Sequence, residues 1–229
     1  MKPVSIRSTV SAALMALAMV AASSCGSDLV RSSRSPAFLI IDSIGAASGA
    51  EGGATFSGFL DSDVLTFVKK TINGVSTQVP TVFDDSGQVK FRIGLKNPGT
   101  FDATGTLSPA AASPLNSITI TRYHVRFLRA DGRNREGIDV PYGFDGGLTG
   151  TVGDSGVTMT FQLVRHVSKE EPPLINLINS ASQGNFQVNG SGLISTIAEI
   201  TFFGRDQVGN EVSAVGTITV NFGDFGDPI

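Results

Sequence analysis

Cys25 is the single cysteine of the 229-residue chain, and three small residues, Ala22-Ser23-Ser24, lead into it. A thiol is the best side-chain nucleophile for forming a thioether on a lipid. One cysteine makes no disulfide within the chain and no Cys-rich zinc site. His124 and His166 are the two histidines. A serine nucleophile needs a base that a third group orients, and the chain has no Gly-x-Ser-x-Gly elbow. His124 shares a strand face with Arg122 and Arg126, and His166 stands beside Arg165, so both read as solvated and structural. No catalytic residue is assigned. Asp61-Ser62-Asp63 alternates carboxylates, and Asp84-Asp85, Asp224 and Asp227 sit in loop sequence. Calcium takes six to eight oxygen ligands, often from several loops, which makes Asp61 and Asp63 the calcium candidates. Aspartate also populates turns for its own hydrogen-bonding reasons, and 14 of the 20 acids are Asp; on that reading there is no metal and no cofactor. Arg122, Arg126, Arg129, Arg133 and Arg135 form a basic row. It reads either as a site for anionic glycan or lipid headgroups, or as a solvated strand and hairpin tip offset by Asp131 and Glu136.

The start of the chain reads as an address. Lys2 and Arg7 precede an apolar stretch from Val10 to Ala22, broken only by Ser11. As a helix it would span about 20 Å, short of the ~30 Å hydrocarbon core of a bilayer. A basic start, a short apolar core and small residues describe a secretory signal peptide. With Cys25 next, the segment resembles the bacterial lipobox, whose cysteine receives a diacylglyceryl group. The resemblance implies a signal peptide over 1–24, a lipidated Cys25, and export to the cell envelope with the membrane as partner. Gly26 follows Cys25 where inner-membrane retention uses aspartate, so the resemblance implies the outer membrane. Residues 25–36, small and polar, read as a flexible tether.

From Phe38 onward the pattern is strands and glycine turns. Val89, Phe91, Ile93 and Leu95 alternate with Lys90, Arg92 and Lys96; Val157 to Leu163 and Val212 to Phe222 alternate likewise. Such two-residue periods mark half-buried strands. Residues 117–129 change phase between Ile120 and Tyr123, which predicts either a β-bulge near Thr121-Arg122 or a strand crossing between sheets. Residues 97–116, with three prolines, read as a surface excursion. One helical piece is expected, near Pro172–Ala181. The formal charge of −3 lacks the basic signature of a nucleic-acid binder.

About ten short strands with glycine turns predict an all-β sandwich or barrel. The turn Asp206-Gln207-Val208-Gly209-Asn210 between the last two strands resembles that of bacterial immunoglobulin-like domains. There an Asp-x-x-Gly-Asn turn joins the final strands, giving Asp206, Gly209 and Asn210 structural roles. The resemblance implies a single immunoglobulin-like β-sandwich over 37–229, enlarged by extra strands or a hairpin at 37–75. The functional expectation is a lipid-anchored envelope protein with a non-enzymatic binding or structural role, its partners envelope proteins or glycans. The alternative is a glycan- or carbohydrate-binding sandwich module. Sugar platforms usually stack rings on tryptophan or tyrosine, and this chain has only Tyr123 and Tyr142 and no tryptophan.

Overall fold

Two sheets are built from the alternating segments, and their apolar rows face each other. The computed structural model describes residues 34–53, 55–97, 99–178 and 192–225; Cys25, the signal segment, most of the tether and Asp227 lie outside them. The first sheet joins β1 (Ala37–Ala47), β5 (Asp85–Leu95) and β10 (Val157–Val164) in the order β1-β5-β10. The second joins β2 (Phe59–Asp63), β12 (Glu211–Gly223), β11 (Ile194–Asp206), β8 (Ile118–Leu128) and β9 (Phe144–Val152) in the order β2-β12-β11-β8-β9. All pairs are antiparallel except β2 with β12, which is parallel. The result is an all-β sandwich of two packed sheets.

The period-two pattern explains the core. Val89 and Phe91 on β5 and Phe161 and Leu163 on β10 point inward, opposite Phe202, Ile200 and Ala198 on β11. Phe91 and Phe161 each meet the Phe202 ring edge-on, with centroids 4.9 and 5.3 Å away. Edge-to-face pairs add about 0.5–1.5 kcal/mol beyond the area they bury. The Phe161 ring lies directly over Gly87, where a Cβ would come 2.5 Å from the ring tip. A side chain there would push the first sheet off the second.

The phase change in β8 is a bulge. Both ladders of β8 slip here, against β9 between Ile120 and Arg122 and against β11 between Phe203 and Gly204. Thr121 is the extra residue, and Ile118, Ile120, Tyr123, Val125 and Phe127 all end up buried. The strand stays in one sheet throughout.

Residues 37–75 divide between sandwich and appendage. β1 pairs with β5 over its length, and β2 forms the edge beside β12. What stands apart is a hairpin of β3 (Thr66–Ile72) and β4 (Val75–Thr81), turned at Asn73-Gly74 with both φ values positive. A second small hairpin, β6 (Gly99–Phe101) with β7 (Leu107–Pro109), occupies the excursion before β8. The expected helix near Pro172 is a 3-10 turn over Leu174–Leu177, with Leu174 and Leu177 buried. The one α-helix among the described residues is α1 (His166–Lys169), in sequence that reads as the end of a strand.

Candidate functional site

The long strands give the sandwich two ends, separated by about 40 Å at 3.3 Å per residue for the 13-residue β11. At one end β1 begins, β5 finishes, and the β11–β12 turn closes. Asp206 organises that turn. One of its oxygens accepts the backbone N–H groups of Val208 and Asn210 at 3.0 and 2.8 Å, and the other accepts the Asn210 amide at 2.8 Å. Gly209 sits at φ +88°, and open space surrounds the position of a Cβ. Burial pushes the Asp206 carboxyl up, but hydrogen bonds from Asn210, Ser35 and Val208 outweigh it and hold the acid below its ordinary range. The bond from Ser35 ties the incoming chain to this turn.

The opposite end gathers most of the titratable side chains. Asp85 and Lys169 are both wholly buried, with Nζ 2.9 Å from Oδ2. Ser62 donates its hydroxyl to the same carboxylate at 2.6 Å, Gly49 donates its N–H to the other oxygen at 2.9 Å, and Lys169 also donates to the Asp63 carbonyl at 2.8 Å. The β1–β2 loop (Gly49), β2 (Ser62 and Asp63), β5 (Asp85) and α1 (Lys169) all contribute to it. The arrangement is a structural clasp: the ammonium and the carboxylate neutralise each other where water is excluded, and neither faces a cavity.

Beside the clasp lies an open cleft of about 370 Å³ lined by Ser48, Ala50, Glu51, Asp61, Asp63, Thr66 and Phe225. The two calcium candidates thus share one cleft, with Glu51 as a third acid. Their oxygens already have donors. Asp63 accepts the Thr66 hydroxyl at 2.7 Å and the Phe225 N–H at 3.1 Å, while Asp61 accepts the Asn221 amide at 2.9 Å. Among the described residues no group of three or more His, Cys, Asp or Glu side chains has the geometry to hold a metal ion.

The arginine row is internally compensated. Arg122 meets Asp145 at 3.4 Å, Arg126 meets Glu199 at 2.9 Å, Arg129 and Arg133 share Asp131 at 2.7 Å each, and Arg135 meets Asp139 at 2.8 Å. The Arg129 and Arg133 guanidiniums hold the Asp131 carboxyl far below the usual carboxylate range. An anionic ligand would therefore compete with five carboxylate contacts already made. Of the two expected offsets, Asp131 pairs with arginines while Glu136 instead accepts the Gly143 N–H at 3.2 Å; the sequence alone does not point to Asp139, in the same loop as Arg135, or to Asp145 and Glu199 on neighbouring strands.

The histidines also pair with acids at the surface. His124 Nδ1 lies 3.3 Å from Asp145, and His166 Nδ1 lies 2.9 Å from Asp84, with both partners of the latter about half exposed. A carboxylate beside an imidazole orients a base, but this pair opens onto solvent at a strand end. Tyr123 is buried, donating its hydroxyl to the Gln162 carbonyl at 3.0 Å, and burial pushes its phenol up. Tyr142 is the tyrosine left exposed, at the same end as the cleft. Comparison with family models, with curated proteins and with solved structures finds no match.

Proposed function

We propose that this chain is a lipid-anchored protein of the cell envelope with a non-enzymatic binding or structural role, exercised at the end of the sandwich farthest from the anchor. The observation that carries this reading is Cys25, the only thiol, placed directly after an apolar export segment and three small residues. Two supporting facts come from the fold. The chain enters the sandwich beside the Asp206 turn, so a lipid on Cys25 tethers that end. The cleft, the arginine loop and Tyr142 then face away from the membrane, where a partner could reach them. Nothing catalytic is asked of these groups: the acids are engaged by donors and the cations by acids. A glycan platform built on tyrosine or tryptophan would have Tyr142 alone to stack on among the described residues.

The anchor is tested by palmitate labelling of the expressed full chain. Label should enter the wild type and be lost in Cys25→Ser, which should also persist as the larger, unprocessed precursor. Equal label in both rejects lipidation. Crosslinking and pull-down from detergent-solubilised envelopes would then identify what the distal end binds.

A further inference from the structure

We propose that the anchored end of the sandwich rests on the bilayer itself, with the loop tips carrying Phe101, Leu107, Leu115 and Val208 lying in the lipid headgroup zone. This rests on the reading of Cys25 as the lipid anchor.

Three separate segments place four large apolar side chains in solvent at this one end. Phe101 and Leu107 pair across the β6–β7 hairpin and are 69% and 41% exposed. Leu115, 73% exposed, sits in the 3-10 turn Pro114–Asn116 just before β8. Val208, 79% exposed, stands at the tip of the β11–β12 turn, a position where polar residues are usual. Two bonds tie neighbouring parts of this end together: Gln207 donates to the Ser117 carbonyl at 3.4 Å, joining the β11–β12 turn to the start of β8, and Lys96 donates its N–H to the Pro36 carbonyl at 3.0 Å, joining the end of β5 to the entering chain. Single exposed hydrophobics are ordinary on a soluble surface. Their occurrence on successive loop tips around the point where the chain enters is what needs an occupant.

Tether length names that occupant. Nine residues lie between Cys25 and Ser35, just before β1. Fully extended, the chain between them reaches at most about 35 Å. An acyl group in the membrane thus holds this end of the sandwich within reach of the lipid surface at all times. A few apolar tips would give a free protein little membrane affinity, but tethering makes their contact effectively intramolecular. Penetration is shallow, because Asp102, between Phe101 and Leu107, keeps a carboxylate bonded to Thr104 and Thr106 at the hairpin tip.

The absence of tryptophan supplies the test. V208W, L115W and V167W are made singly in the full chain, expressed with lipoprotein export, and reconstituted in phosphatidylethanolamine–phosphatidylglycerol vesicles. Val167 is 42% exposed on α1, at the far end. Tryptophan favours interfaces by itself, and V167W controls for that. With brominated acyl chains in the vesicles, emission from V208W and L115W should be blue-shifted and strongly quenched, and emission from V167W should be neither. Acylated protein whose three reporters are quenched alike, or not at all, overturns the proposal while leaving the anchor intact. Intact mass showing no acyl group overturns both.

Discussion

Gly209 tests how much of the closing turn is backbone geometry and how much is side-chain bonding. Since a Cβ there would meet no atom within 4 Å, any cost of substitution comes from the φ of +88° alone. Gly209→Ala should cost about 1 kcal/mol and Gly209→Val more, within the ~1–3 kcal/mol usual for a strained position, because a β-branched residue tolerates positive φ least. Asn210→Ala should cost about 1 kcal/mol, the net worth of one side-chain hydrogen bond. Urea melts of residues 26–229 check the ordering; a Gly209→Val variant as stable as wild type would remove the tight-turn assignment. Asp206 adds a pH dependence. Its folded-state acidity is enhanced, so it stabilises the fold fully above its unfolded pKa, near 3.9, and that contribution disappears as pH falls through the lower folded value. Asp206→Asn places an amide N–H against other donors, and should cost about 1–3 kcal/mol at neutral pH. It should also flatten the loss of stability between pH 5 and pH 2, followed by thermal melts across that range.

Among the elements, the clasp at the far end and the protruding hairpin make opposite predictions. Lys169 on α1 and Asp85 on β5 neutralise each other with no solvent access. Lys169→Met strands a buried carboxylate and should cost about 3–5 kcal/mol, the usual penalty for breaking a buried pair from one side. Adding Asp85→Asn should recover part of that loss, and a double-mutant cycle by urea denaturation measures the coupling. The β3–β4 hairpin is exposed along nearly all its length. Replacing residues 69–78 by Asn-Gly, which closes the ladder between Val68 and Val79, should shift stability by less than about 1 kcal/mol. These two elements also mark where sequence reading stops. Alternation in 89–95, 157–163 and 212–222 reveals the core strands because one face of each is buried, and the phase change in 117–129 reveals the bulge at Thr121 for the same reason. β9 begins only at Phe144, and the Arg135–Asp139 pair holds residues before it in a loop whose pattern gives no such signal. Pairing partners leave no such trace. That β1 belongs to the first sheet and β2 runs parallel to β12, or that Lys169 finds Asp85 across 84 residues of chain, depends on contacts between segments whose local patterns are ordinary.

At the scale of the whole molecule, the two ends differ in what their side chains leave available. One end carries apolar tips and the point where the chain enters; the other carries acids and arginines bonded largely to one another, beside exposed Ile138, Tyr142, Val167 and Leu193. This polarity bears on calcium, the cation for which Asp61 and Asp63 are the natural candidates. Glu51, Asp61 and Asp63 share a cleft, yet binding an ion would require Asp63 to release the Thr66 hydroxyl or the Phe225 N–H, and Asp61 the Asn221 amide. Each release exchanges an existing charge-assisted hydrogen bond for a metal contact. Six to eight oxygens would still have to be assembled in an open cleft. The expected outcome is that thermal melts of residues 26–229 coincide in excess calcium and in excess chelator. An ion that binds the folded state alone raises stability with the logarithm of its concentration, so a melting temperature climbing steadily with calcium would show that the cleft rearranges around the ion. Asp63→Asn separates the causes. It should lower the melting temperature equally with and without calcium if the carboxylate only ties β2 to Thr66 and Phe225, and should abolish any calcium-dependent rise if it were a ligand.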